Sequence, residues 1–136
     1  MSAPAEPGFA TLVAAQAPVV TAPDGSQVQV LLRLQGGSMA TFMLQPGQMS
    51  AAVTHRSVEE LWYVVSGRGR MWRRDARCED IVALEPGLCL SVPLGTAFQF
   101  RCEGDAPLRA VAVTMPPWPG ADEAVAVQGP WGSARA

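Results

Sequence analysis

One histidine and one glutamate supply most of the chemistry this sequence can offer. His55 is the single histidine among 136 residues, and Glu60 follows it at the head of the apolar run Leu61-Trp62-Tyr63-Val64-Val65. A histidine beside a carboxyl group can move a proton on a bound substrate, with His55 as base and Glu60 as acid or orienting group. Burial against aromatic neighbours raises the carboxyl pKa, and a charged histidine beside it lowers it, so the sequence leaves the balance open. The same two residues without a substrate are a buried hydrogen-bonded pair, in which losing one partner strands the other.

Short strands must position them. Turn signals recur at Pro23-Asp24-Gly25, Gly36-Gly37-Ser38, Pro46-Gly47, Ser66-Gly67, Arg74-Asp75, Glu85-Pro86-Gly87, Pro93-Leu94-Gly95 and Glu103-Gly104-Asp105. That spacing belongs to a sandwich or barrel of short strands. Val28, Val30, Leu32 and Leu34 alternate with Gln29, Leu31, Arg33 and Gln35, a period of two that predicts one half-buried strand. Further strands are predicted at Ala40 to Leu44, Met49 to Thr54, Gly69 to Arg73, Cys78 to Leu84, Leu88 to Val92, Ala97 to Cys102 and Leu108 to Thr114, with a short helix at Ala10 to Ala17. The run from Leu61 to Val65 is apolar on both faces and calls for cover on both, from a terminal segment or from a second subunit.

The spacing of glycines around the pair is specific. Gly47 is followed by five residues, then Val53-Thr54-His55, four residues, Glu60, six residues and Gly67; farther on, Gly87, Pro93 and Gly95 precede Phe98 and Cys102. These intervals resemble the two motifs of the cupin superfamily, G(X)5HXH(X)3-4E(X)6G and G(X)5PXG(X)2H(X)3N. The resemblance covers roughly residues 28 to 114 and implies an all-β fold, the cupin double-stranded β-helix or jelly-roll barrel. It implies a single domain in which residues 1–27 form an N-terminal extension, 28–114 the barrel and 115–136 a tail containing proline and tryptophan. Glu60 is preferred to its neighbour Glu59 because only Glu60 lies six residues before Gly67, and adjacent strand residues face opposite ways.

In metal-binding cupins two histidines of the first motif, its glutamate and the histidine of the second motif hold one divalent ion. Here those positions read Val53, His55, Glu60 and Phe98. Two ligands make a weak site, since catalytic metals commonly take three from the protein. Cys102 lies four residues beyond Phe98, about 13 Å along a strand, too far to replace it. No cofactor is therefore expected beyond a weakly held divalent metal. The resemblance leaves a pocket walled by Val53, Trp62 and Phe98 around His55 and Glu60, and Phe98 either lines that pocket or fills it.

Composition narrows the partners. All ten basic residues are arginines, and the net charge of -2 gives no pull toward nucleic acid or a membrane surface. The arginines between Gly67 and Arg74 read as a solvated or salt-bridged hairpin facing Asp75, Glu79 and Asp80. Cys78, Cys89 and Cys102 read as buried, reduced thiols of a cytoplasmic protein, and Trp118 in its proline-rich setting as a residue docking on an apolar surface more than as a cap on the barrel mouth. The expected function is that of a small-molecule-binding cupin, with metal-independent isomerase or lyase chemistry on a sugar-like or keto compound as its leading enzymatic form, by similarity to small sugar-phosphate-isomerase-like cupins. A metal-dependent oxygenase and a non-catalytic regulatory or interaction module are the alternatives. A homodimer is expected from the resemblance and from the two-faced strand at Leu61 to Val65.

Overall fold

A computed structural model describes residues 8–132. The outermost parts of the expected extensions, 1–7 and 133–136, lie outside the described residues. Among the described residues eleven strands form two antiparallel sheets: β1 (Val19–Thr21), β2 (Gln27–Arg33), β3 (Ser38–Leu44), β4 (Val53–His55), β5 (Glu59–Ser66), β6 (Arg68–Arg74), β7 (Glu79–Leu84), β8 (Cys89–Val92), β9 (Ala97–Glu103), β10 (Leu108–Met115) and β11 (Ala124–Ala126). The first sheet runs β1-β2-β3-β10-β5-β8 and the second β11-β4-β9-β6-β7. No helix among the described residues is long and apolar enough to cross a membrane.

The inner faces of the sheets meet in one core. Along β5, Glu60, Trp62 and Val64 are buried while Leu61, Tyr63 and Val65 stand about half exposed, the alternation of a strand with one face inward. Val64 joins Leu44, Met71, Leu84, Phe100 and Leu108 in a tightly packed interior at one end of the barrel. The motif glycines 47, 67, 87 and 95 all have φ between 81° and 91°. At Gly67 a Cβ would also collide with the Pro107 carbonyl, so both backbone conformation and space demand glycine there.

Several local expectations change. The segment Met49 to Thr54 is not one strand: Met49 makes an isolated bridge to Arg101, and regular pairing begins only at Val53. Ala10 to Ala17 contains a single 3-10 turn at Ala14–Gln16. Two further strands form: β1, which pairs with β2 across the turn at Pro23-Asp24-Gly25, and β11, which pairs with the distant β4. Cys102 is buried, but Cys78 and Cys89 are exposed, because Cys78 sits in the β6–β7 turn and Cys89 on the outward face of β8 beside Tyr63.

The alternation in β2 also breaks. Val30 pairs with Ala40 and Arg33 with Ser38, so three steps on β2 oppose two on β3. This is a β-bulge, which inserts one residue and reverses the facing of everything after it. Leu32 and Leu34 therefore leave the face of Val28 and Val30 and are exposed.

The two outer faces are treated differently. On the second sheet, residues after β11 run across Trp72 and Ala97, with Val127 and Trp131 packed over them. The buried Gln99 amide donates to the carbonyls of Ser50 (2.9 Å) and Gly132 (3.1 Å) and accepts the Trp131 N–H (3.3 Å). On the first sheet, the face carrying Leu61, Tyr63 and Val65 has no such cover among the described residues. The arginine hairpin is salt-bridged in part as expected: Arg73 meets Asp80 at 2.9 Å, whereas Glu79 accepts the Trp72 indole N–H at 2.6 Å.

Candidate functional site

A cavity of about 340 Å³ occupies the other end of the barrel, lined by Val53, His55, Glu60, Trp62 and Phe98 among others. Val53 and His55 face inward from β4, Glu60 and Trp62 from β5, and Phe98 from β9, so the pair reaches across from opposite sheets. His55 Nδ1 lies 3.1 Å from Glu60 Oε1, but the approach is not aligned for a hydrogen bond and Nδ1 is left buried without a partner. The other carboxyl oxygen, Oε2, accepts the Trp62 indole N–H at 2.8 Å.

Burial dominates the electrostatics of both groups. It pushes the Glu60 carboxyl up to about 7, against the Trp62 hydrogen bond and with help from nearby Asp24. It also holds the His55 imidazole below its ordinary value, against the attraction of Glu123. Near neutral pH the site therefore offers an unprotonated imidazole and a carboxyl group close to half protonation, a base and an acid side by side.

Four aromatic rings surround the pair. Phe98 and Trp118 each meet the His55 ring edge-on at 5.2 Å, and Phe42 stacks on Trp62 at 5.0 Å. Phe98 packs into the wall and leaves the cavity open. Trp118 is held by its backbone N–H, which donates to Ser38 Oγ at 2.9 Å, so this residue caps the pocket where a docking role on an apolar surface was preferred from the sequence.

The segment following β10 also fixes the backbone that carries the pair. Ala124 of β11 pairs with His55, and Glu123 just before it points at the 56–58 connection between β4 and β5. One Glu123 oxygen accepts the backbone N–H groups of Ser57 (2.7 Å) and Val58 (2.9 Å), and the other accepts the Ser57 hydroxyl (2.6 Å). Burial alone would raise this carboxyl, but these donors together hold it below the usual range.

Residues 40–114, more than half of the chain, match the family model described as a cupin domain. The chain belongs to the cupin family. Its architecture is similar to that of oxalate decarboxylase from Bacillus subtilis (16% identity, TM-score 0.70, covering 84% of this chain and 30% of that one). It is also similar to an uncharacterised protein with a double-stranded β-helix domain from Klebsiella pneumoniae (19% identity, TM-score 0.63, covering 76% of this chain and 85% of that one). The chain thus spans about a third of the decarboxylase, and at these identities the likeness concerns the fold. No curated protein matches the sequence.

The residues of this cupin do not fit a resident metal. Val53 and Phe98 stand at two of the four ligand positions and offer no donor. Among the described residues no three His, Cys, Asp or Glu side chains converge on one point. The donor set is His55 and Glu60, and one oxygen of Glu60 is already engaged by Trp62.

Sequence reasoning found the pair and three of its walls, Val53, Trp62 and Phe98, but not the residues around them. Asp24, read as part of a turn, is buried at the cavity wall, where its Oδ1 accepts the Ser26 N–H (3.0 Å) and hydroxyl (2.6 Å) while burial raises its pKa. Phe42 looked like any strand hydrophobe, and Glu123 lies 63 positions beyond Glu60 with no local signal. The phase of an inward-facing strand would have found Phe42; nothing in the sequence marks Glu123.

Proposed function

We propose that this cupin binds a compact sugar-like or keto compound and moves a proton on it without a metal, as an isomerase or lyase. The observation that carries the reading is the juxtaposition of His55 and Glu60 in an aromatic-walled cavity, with the carboxyl at about 7 and the imidazole unprotonated. In the isomerase form, His55 takes the proton from the carbon beside a carbonyl while Glu60 gives its proton to the carbonyl oxygen. The C–H electron pair becomes the enol double bond. On a substrate with a hydroxyl at the carbon first deprotonated this gives an enediol; the imidazolium then protonates the former carbonyl carbon while that second hydroxyl gives its proton to Glu60 and becomes the new carbonyl, which restores both groups. Trp62 and Phe98 hold the substrate plane and exclude water.

The test is hydrogen exchange in D2O, followed by proton NMR over a panel of hydroxyketones, aldoses and keto acids. Wash-in at the carbon beside the carbonyl is expected, with loss of at least about a hundredfold in both His55→Ala and Glu60→Gln. Exchange that survives in both variants would overturn the assignment. Exchange that requires added iron, manganese, nickel or zinc would favour the oxygenase-type, metal-bound alternative.

We also propose that two copies pair through the outer face of β5, where Leu61, Tyr63 and Val65 are exposed. Leu61 faces Val113 and Tyr63 faces Val111 on β10, which makes the apolar strip continuous across two strands. Light scattering on Tyr63→Glu is expected to show monomer where the parent protein shows dimer.

A further inference from the structure

We infer that the cavity takes an anionic ligand, a small carboxylate whose charged end is held by Arg33 at the rim while its other end meets His55 and Glu60. This rests on the binding reading above and names the substrate class within it.

The argument begins with the bulge in β2. A regular strand that turns Val28 and Val30 toward the cavity would turn Arg33 away, but the extra residue between Val30 and Arg33 brings it back onto the cavity side. The cavity is lined by Val28, Val30 and Arg33 from this strand, and Leu32 is not among its walls. Bulges recur beside functional sites because they re-aim a side chain in this way. Here the re-aimed residue is, among the described residues, the one arginine that lines the cavity.

Arg33 falls on a single cross-strand row. It pairs with Ser38, Ser38 with Thr114, and Thr114 with Glu60. The row is a polar stripe along an otherwise apolar wall, and the two hydroxyls in its middle bond each other at 2.5 Å. Three strand spacings put the Arg33 and Glu60 Cα atoms about 14 Å apart, a gap that the two side chains shorten to the length of a compact organic acid.

The guanidinium is also available. Arg68, Arg70, Arg73 and Arg101 are engaged in ion pairs and Arg56 with the Asp122 carbonyl, whereas none of the ion pairs among the described residues includes Arg33. A planar guanidinium matches a carboxylate with two parallel hydrogen bonds. Of the two carboxyl groups inside, burial raises Asp24 and pushes Glu60 up to about 7, so at neutral pH Glu60 presents less than a full negative charge to an entering anion. The unpartnered Nδ1 of His55 stands at the far end of the same cavity.

Calorimetric titration of the full chain with matched probes tests this: pyruvate against pyruvamide, glucuronate against glucose, and glycerol phosphate as a second kind of anion. In the parent protein a carboxylate probe is expected to bind about tenfold more tightly than its neutral partner, with the difference shrinking as salt is added. Arg33→Gln should erase that difference and leave the neutral probe unchanged, and Arg33→Lys should keep part of it. Neutral and anionic probes that bind equally, or an Arg33→Gln variant that keeps the preference, would overturn the inference while leaving the small-molecule reading intact. A preference confined to glycerol phosphate would overturn the carboxylate assignment. Failure of every probe, neutral or charged, would count against the small-molecule reading itself.

Discussion

The two ends of the barrel are built from the same strands and do opposite things. On β5, Val64 is sealed among Met71, Leu84, Phe100 and Leu108, whereas Glu60, four residues earlier, borders a cavity with a carboxyl that burial holds near neutrality. Packing alone maintains the closed end. The open end needs polar supports from outside the strand, because a buried ionisable group is stable only while hydrogen bonds and neighbours hold it. Those supports are Trp62 on the same strand and Glu123 before β11.

The contrast is sharpest in stability. Phe100→Ala at the closed end is expected to cost about 3–5 kcal/mol in denaturant unfolding. Phe42→Leu at the cavity wall should cost only about 1 kcal/mol, since its ring already borders open space. Equal losses would erase the distinction between the ends.

The pH dependence should belong to the open end. Glu60 rises from an ordinary 4.5 to about 7 on folding, so its contribution favours the folded state below pH 4.5 and is lost as pH climbs through about 7. The shift corresponds to about 3 kcal/mol. His55 runs the other way: its pKa is lowered, so its contribution is complete above 6.5 and lost as pH falls. Glu60→Gln is therefore expected to remove the decline in stability between pH 5 and 8, measured by urea unfolding at a series of pH values. Phe100→Ala should lower the whole profile and leave its shape unchanged.

Glu123→Ala removes the acceptor of three hydrogen bonds and should cost about 2 kcal/mol. It should also move His55 farther below its ordinary pKa, because the Glu123 charge favours the imidazolium. With a single histidine in the sequence, that titration is read directly from the imidazole proton resonances. The smallest effect is expected from Trp62→Phe. Loss of the indole donor should lift the Glu60 carboxyl above about 7, visible in carbon NMR of labelled glutamate.

The closed end and the frame of the open end were legible in the sequence. Glycines at 47, 67, 87 and 95 occupy turns of positive φ, and that requirement is written locally, which is why the spacing carried the fold. Val53, His55, Glu60, Trp62 and Phe98 follow from the same frame and all reach the cavity. What the sequence hid depends on register or on distance. The bulge in β2 leaves a perfect apolar alternation in the residues while breaking it in space, so Leu32 and Arg33 exchange faces. Glu123 acts only through contacts made after the chain has folded back on itself, and Asp24, whose own hydrogen bonds are local, reaches Glu60 only then.

The β11–β4 pairing has a consequence for the order of assembly. The stretch that matches the family ends at residue 114, yet Trp118 and Glu123, which cap and brace the site, come later in the sequence. The sheets can therefore close around the packed end independently of the residues that finish the pocket. Docking of the segment after β10 then completes the cavity around His55 and Glu60.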